Sequence, residues 1–333
     1  MRVAVLSPVA WRTPPRHYGP WEQMASNLTE GLVAAGLDVT LFATGDSVTT
    51  AVLNSVVEKG YEEDRSQDAK VLECLHISNL MERANEFDLI HNHFDFLPLT
   101  YSGLVKTPVI TTIHGFSSER IVPVYQKYNE RGHYVSISDA NRHPLLNYLG
   151  TVYNGLNTDE FEFKPQAEDY LLFFGRIHPD KGTAEAIEIA LKSKRKLVIA
   201  GIIQDENYFR ERVEPQLGDQ ITFIGSAGPE KRNELLGNAY ALLHPINFAE
   251  PFGLSVAEAM LCGTPVIAFN KGSMPELIED QKTGFLVNST EEAVAAVAAL
   301  KTIDRKNCRN WALEKFSKEK MVEDYLALYH QIM

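Results

Sequence analysis

Short apolar runs alternate along this chain with longer segments whose apolar residues recur at helical spacing. Val3 to Leu6 reads as a buried strand. A loop from Ser7 to Tyr18 follows, and Gly19 opens a helix carrying Met24, Leu28, Leu32 and Val33 on one face, with Gly36 as its stop. Asp38 to Ala43 is the next strand, which completes a βαβ unit. A helix ending near Glu86 precedes strands at Asp88–His93, Val109–His114 and Tyr134–Ile137, and helices are expected over Phe96–Val105 and Asp139–Tyr148. A polar break over residues 154–169 ends this half. A second alternation begins at Leu171–Phe174 and continues through helix 183–193, strand 196–200, helix 206–217, strand 221–224, helix 229–238 and strand 240–243. A helix opening near Gly253, a strand at 265–269 and tail helices near 290–300, 305–316 and 318–331 complete it.

This order predicts an α/β protein of two Rossmann-like halves with parallel sheets facing across a cleft, with the ligand at the C-terminal ends of the strands. The expected domains are 1–157, 158–312 and a terminal helical segment, 313–333, packing back on the first domain.

The chain of 333 residues carries 32 basic and 44 acidic residues, a net charge of −12. That balance speaks against nucleic acid as a partner. Cys74, Cys262 and Cys308 stand at unrelated spacings and read as reduced thiols of a cytoplasmic protein. The apolar run in MRVAVLSPVAW is too short for a signal peptide or a membrane span. Residues 58–73 read as a solvated run of mixed charge. The helix from Trp21 to Ala35 has acids but no Lys or Arg, which speaks against stable docking on anionic membranes. The fingerprint G-x-G-x-x-G is absent after the first strand, so a dinucleotide site is not supported there.

Candidate chemistry concentrates in two stretches. In HPINFAEPFGLSVAEAMLCGTPVIAF, residues 244–269, Glu250 lies in the loop and Glu258 lies inside the helix. At about 1.5 Å rise per residue, Glu258 stands about 7.5 Å beyond the helix start. Two carboxylates flanking free backbone N–H groups suit a ligand with phosphate in the middle and hydroxyls on both sides; two solvated glutamates are the alternative. In FGRIHPDKG, Arg176 and Lys181 flank a turn before a helix, where they would grip a diphosphate from two sides or stand as exposed cations.

These residues carry a resemblance that runs over most of the chain. Gly19-x-x-Glu22, Ile113-His114-Gly115, Tyr153-Asn154-Gly155, Gly175-Arg176 with Lys181-Gly182, the pair Glu250 and Glu258, Gly263-Thr264-Pro265-Val266-Ile267, Pro275-Glu276 and Gly284-Phe285-Leu286-Val287 stand in the order and spacing of family 4 glycosyltransferases. The chain resembles a retaining member with the two-domain GT-B fold. The resemblance implies that Arg176 and Lys181 bind the diphosphate of a nucleotide-sugar donor, that Glu250 contacts the transferred sugar and that Glu258 contacts the ribose. It implies that Phe252, Gly253 and Leu254 offer backbone N–H groups, that Gly19 lets its loop approach the phosphates and that His114 reaches the sugar. No cofactor is implied, because the nucleotide diphosphate sugar is a substrate. The D-x-D triplet of metal-dependent donor binding does not occur.

On the acceptor side, Trp21 reads either as a pocket wall or as a buried aromatic at a helix start. His91, His93 and Asp95 alternate at a strand end and so would share a face, more suited to an acceptor than to zinc for want of a fourth ligand. Arg12, Arg16 and His17 form a cationic loop able to receive a carboxylate or phosphate on the acceptor, or a solvated rim. Asn154 sits at the domain crossing. The expected activity is hexose transfer, metal-independent, to a hydroxyl of a small molecule, glycan or lipid-linked acceptor. A sugar-nucleotide epimerase of the same fold and a non-catalytic nucleotide-sugar binding subunit are the alternatives.

Overall fold

The apolar runs pair as parallel strands in two sheets of the computed structural model, which describes residues 1–116 and 118–333. One unit comprises Met1–Leu156 with Lys318–Met333, and the other Asn157–Ser317.

Unit 1 runs β1 (Arg2–Leu6), α1 (Pro20–Ala34), β2 (Asp38–Phe42), β3 (Val52–Asn54), α2 (Ala69–Met81), β4 (Leu89–Asn92), β5 (Val109–Ile113), α3 (Val122–Lys127), β6 (Tyr134–Ser136) and β7 (Tyr148–Thr151). The sheet order is β3-β2-β1-β4-β5-β6-β7, parallel throughout. Val3 to Leu6 is fully buried, as expected of a central strand covered on both faces, which is why it reads as a continuous apolar run.

Unit 2 runs β8 (Tyr170–Phe174), α4 (Thr183–Ser193), β9 (Lys196–Ala200), α5 (Glu206–Tyr208), β10 (Ile221–Phe223), α6 (Pro229–Asn238), β11 (Ala241–His244), α7 (Leu254–Leu261), β12 (Val266–Phe269), α8 (Met274–Leu277), β13 (Gly284–Val287), α9 (Thr290–Ala299) and α10 (Arg305–Phe316). Its sheet order is β10-β9-β8-β11-β12-β13. In each unit the winding reverses once, at β1 beside β4 and at β8 beside β11. Loops leaving those neighbouring strands diverge and open a crevice.

The last helix, α11 (Lys318–Ile332), belongs to unit 1. Met321, Val322, Tyr325 and Tyr329 are buried with Leu28 and Leu32 of α1 in one apolar cluster. Gly31 makes that contact close: a Cβ there would fall 2.3 Å from Val322 Cγ2.

Four expectations change. Asp139–Tyr148 is not a helix. Pro144 disfavours helical backbone at His143, and side chains take the local polar groups: Asn141 N–H donates to Ser138 Oγ at 3.1 Å and His143 N–H to Tyr148 Oη at 2.9 Å. The segment instead feeds β7, a strand missed in the sequence along with β3. The expected helix 206–217 is one helical turn, a π turn at Phe209–Val213 and a 3-10 turn at Glu214–Gln216, where Pro215 has no N–H to continue it. Leu97–Tyr101 is a 3-10 segment holding Pro98 in place of a helix over Phe96–Val105. The run 58–73 is more than solvated charge, because Glu63 holds Arg16 and Glu73 accepts the Tyr61 hydroxyl at 3.2 Å.

Gly31→Ala is expected to destabilise the protein by about 1–3 kcal/mol through overpacking of α1 against α11. Urea denaturation checks this, and an unchanged midpoint would show that the two helices are not in close contact.

Candidate active site

In unit 2 the chain leaves β8 through Gly175 and Arg176 and turns back at Pro179–Lys181. Gly182 closes that turn in left-handed backbone (φ 76°), and a Cβ there would stand 1.9 Å from the Pro245 carbonyl oxygen. Only glycine lets this turn lie against the exit of β11. The approach brings Lys181 Nζ to 2.5 Å from Glu250 Oε2, with both side chains largely shielded at 14% and 13% exposure. Lys181 also lies over the Phe248 ring, 4.7 Å from its centroid. His244 at the end of β11 places Nε2 3.8 Å from the same Glu250 oxygen. Burial depresses His244 to about 4, and the neighbouring Glu250 only partly opposes this. Arg176 donates to Gln204 Oε1 at 2.5 Å.

The loop carrying Glu250 is fixed by Ser273, whose N–H donates to Glu250 O at 3.0 Å and whose hydroxyl donates to Phe252 O at 2.5 Å. The Phe252 ring is buried edge-on to Phe316, with centroids 5.6 Å apart, so it anchors the loop from beneath. Gly253 (φ 99°) leads into α7, beginning at Leu254. The first N–H groups of a helix have no intrahelical acceptor, which makes this end a place for phosphate. Glu258 is buried within α7, and burial raises its carboxyl against the opposing charge of Arg232. Arg232 of α6 donates to Glu258 Oε1 at 3.2 Å, reaches Glu160 at 3.5 Å and lies over the Phe161 ring. Arg232 and His244 were missed in the sequence. Arg232 sits in an ordinary polar helix run, PEKRNE, and nothing local marks it.

Unit 1 holds a pocket of about 470 Å³ at its own reversal point, where β1 and β4 end. Trp11, Tyr18, Trp21, Glu22, Phe94 and Asp95 contribute to its lining. Glu22 is 3% exposed. Its Oε1 accepts the Trp11 N–H at 3.2 Å. Burial pushes its carboxyl up to about 7, opposed only by backbone N–H groups. Gly19, at φ 151°, has a local reason here: a Cβ would stand 2.9 Å from Glu22 Oε2.

The expectation that Asp95 shares a face with His91 and His93 is corrected. The strand stops at Asn92, whose side chain accepts the Phe94 N–H at 2.8 Å and donates to Asp95 O at 2.8 Å. Asp95 takes left-handed backbone (φ 71°) and turns to the Tyr125 hydroxyl, and burial raises its carboxyl to about 6. The histidines go elsewhere. His91 bonds Tyr329 Oη at 2.6 Å and Thr112 Oγ1 at 2.7 Å, and stacks on His93. His93 Nδ1 lies 2.9 Å from His114 Nε2, and Trp21 stacks on His114 with centroids 5.6 Å apart. Burial lowers His91 and His114 to about 3 and His93 well below its usual value, so this column is neutral. Among the described residues no group of three or more His, Cys, Asp or Glu is placed to hold a metal.

Arg16 is spoken for by Glu63 at 2.9 Å and Asp46 at 3.3 Å. Arg12 donates to Pro14 O at 2.9 Å. His17 is exposed, and Asn154 is buried next to Gly155, which accepts from Asn27 Nδ2 at 2.7 Å.

Residues 22–160 match the Glycosyltransferase Family 4 description and residues 157–315 match Glycosyl transferases group 1, so the two matches overlap over residues 157–160, beside the boundary between the units, and together span residues 22–315. The chain is a family 4 glycosyltransferase. The transferase is 24% identical over 336 residues to an uncharacterised glycosyltransferase of Methanocaldococcus jannaschii, covering 86% of this chain and 85% of the relative. It is 25% identical over 241 residues to the phosphatidyl-myo-inositol mannosyltransferase of Mycobacterium leprae, covering 64% of this chain and 63% of that protein. Its GT-B fold, two Rossmann-like units with parallel sheets, matches Anabaena HepE, solved with UDP and glucose, at a TM-score of 0.74 and 18% identity over 99% of both chains. Among the described residues no helix of the transferase is long and apolar enough to cross a membrane.

Glu22 gives the transferase a measurable pH signature. Its value in the folded protein, about 7, lies above the ordinary glutamate value of 4.5, so between these two the folded state holds a proton that the unfolded state loses. The stability contributed by Glu22 is therefore present below about pH 4.5 and falls as the pH rises to about 7. Glu22→Gln is expected to flatten this fall and to be more stable than wild type at pH 8, by on the order of 3 kcal/mol at most. Urea melts at pH 5 and pH 8 read the difference, and identical pH dependence in the two proteins would refute the buried, uncompensated carboxyl.

Proposed function

We propose that this transferase moves a hexose from a nucleotide diphosphate sugar, of the GDP-mannose or UDP-glucose type, to an acceptor hydroxyl. Anomeric configuration is retained and no metal takes part. The observation that carries the reading is the pairing of Lys181 with Glu250 at the reversal point of unit 2, between the loop that leaves β8 with Arg176 and the loop that leads from β11 into α7. The likeness to a mannosyltransferase, and to a structure holding UDP and glucose, supports a hexose donor.

In this scheme the diphosphate lies between the cations and the first N–H groups of α7. Arg176 offers a two-pronged donor, and Lys181 a point charge whose hold on Glu250 is shared with the incoming phosphate. Glu258, kept in place by Arg232, accepts from the ribose hydroxyls, and Glu250 from the hexose. The bond between the sugar's anomeric carbon and the diphosphate oxygen breaks, and charge builds on that oxygen. The cations stabilise it there without reorganising, which supplies the charge a divalent ion would otherwise bring. The acceptor oxygen bonds to the anomeric carbon from the same face. Its proton passes to an oxygen of the departing diphosphate, so no protein base or nucleophile is needed and Glu250 serves as a sugar contact.

Lys181→Ala is expected to lower kcat at least about 100-fold, as for loss of one donor to a developing oxyanion. A near-wild-type rate would remove Lys181 from the chemistry. Glu258→Ala is expected to weaken donor binding by about 1–3 kcal/mol with little change in kcat. Calorimetry with UDP- and GDP-sugars reads that loss and identifies the base. NMR of the product tests retention through the anomeric coupling. Stoichiometric release of nucleoside diphosphate separates transfer from epimerisation, and donor binding without any release would leave only a binding subunit.

A further inference from the structure

The two reversal points differ in charge. That of unit 2 presents Arg176, which no carboxylate pairs among the described residues, and Lys181 matched to Glu250. The pocket of unit 1 presents Glu22, Glu73 and Asp95, and among the described residues no Lys, Arg or His lines it. The cations that the sequence places in the adjoining loop do not serve it: Arg16 is bound to Asp46 and Glu63, and Arg12 to a backbone carbonyl. The pocket, at about 470 Å³, falls in the size range of small-molecule sites. The aromatic residues Trp11, Trp21, Phe94 and Phe96 line it together with the acids Glu22, Glu73 and Asp95. Glu22 lies nine-tenths and more buried in that lining, where Oε1 accepts the Trp11 N–H, and beside it Gly19 withholds a Cβ that would crowd Oε2.

Aromatic faces and carboxyl acceptors together recognise a sugar ring, whose C–H faces are apolar and whose hydroxyl edges donate. An anionic substituent in the same place would lose water with no cation to pair with among the described residues, and any ionised carboxyl beside it would be a like charge; both are unfavourable. Resting on the transfer reading above, we propose that this pocket is the acceptor subsite and that it takes a sugar ring without phosphate or carboxylate groups. On this reading Arg12 and Arg16, held by Pro14 O and by Asp46 and Glu63, are not the groups that receive the acceptor.

Two of the three tryptophans, Trp11 and Trp21, line the pocket, so intrinsic fluorescence of the whole chain reports its occupancy. The probes are glucose, mannose, galactose and glucosamine, the 6-phosphates of the first three, and glucuronate. Uncharged or amino sugars are expected to change the emission of wild type, and Trp21→Phe to reduce the change. Phosphates and glucuronate are expected to bind at least about tenfold more weakly than their parent sugars. The double variant Glu22→Gln/Asp95→Asn is expected to narrow that gap to about threefold or less. The proposal is overturned if the phosphates bind as tightly as the parent sugars, if the gap persists in the double variant, or if none of the sugars alters the emission. Stabilisation of wild type by UDP- and GDP-sugars is read in parallel by thermal shift. If it persists while the sugar test fails, only the acceptor assignment falls. If it is absent too, the donor reading falls with it.

Discussion

A parallel sheet that winds outward in both directions from its first strand must leave one place where neighbouring loops part. This constraint organises both units of the transferase. Most of the side chains given a chemical role above stand on a loop leaving a central strand or on the helix that such a loop begins; Arg232 and Glu73 reach in from helices that follow edge strands. Arg176 and Lys181 follow β8, and Glu250 follows β11. Trp11 and Trp21 follow β1, and Asp95 follows β4. The scaffold supplies the same opening twice, and the sequence decides what each opening is for.

What differs between them is how buried carboxyl groups are compensated. In unit 2 each one has a cation: Lys181 for Glu250, Arg232 for Glu258. Such pairs recover part of the cost of removing charge from water and leave carboxylates that accept hydrogen bonds in a fixed direction. In unit 1 Glu22 and Asp95 have backbone N–H groups and the Tyr125 hydroxyl as their partners, and burial moves both towards the neutral form. The first arrangement is suited to holding an anion among cations. The second is suited to exchanging hydrogen bonds with hydroxyl groups.

The family, the two-unit fold and the site stretches of unit 2 were legible because their determinants lie close together in sequence. Gly175 to Gly182 is one turn, and Glu250 to Glu258 is one loop and its helix. The acceptor side was far less legible. The contacts that define it join Trp11 to Glu22, His93 to His114, and His91 to Tyr329 across 238 residues, and no local pattern records such pairings. Asp95 was misplaced because strand alternation was carried three residues past the point where the Asn92 side chain ends the strand. The helix expected over Asp139–Tyr148 failed for a related reason. Short polar side chains and Pro144 outcompeted a weak helical pattern, and β7 was built from what followed.

The return of α11 to unit 1 has a consequence for the order in which the molecule can be made. Tyr325 and Tyr329 fill the space beside His91, and Met321 and Val322 close the apolar cluster against α1, yet these residues emerge only after unit 2 has been synthesised. At about 5–20 residues per second, the intervening 160 or so residues occupy the ribosome for roughly 8–30 seconds. For that interval the first sheet exists without the helix that covers this part of its core. Unit 2, whose own strands and helices are continuous in the chain, has all of its core in hand before unit 1 does. The N-terminal half is first to be born and last to be finished.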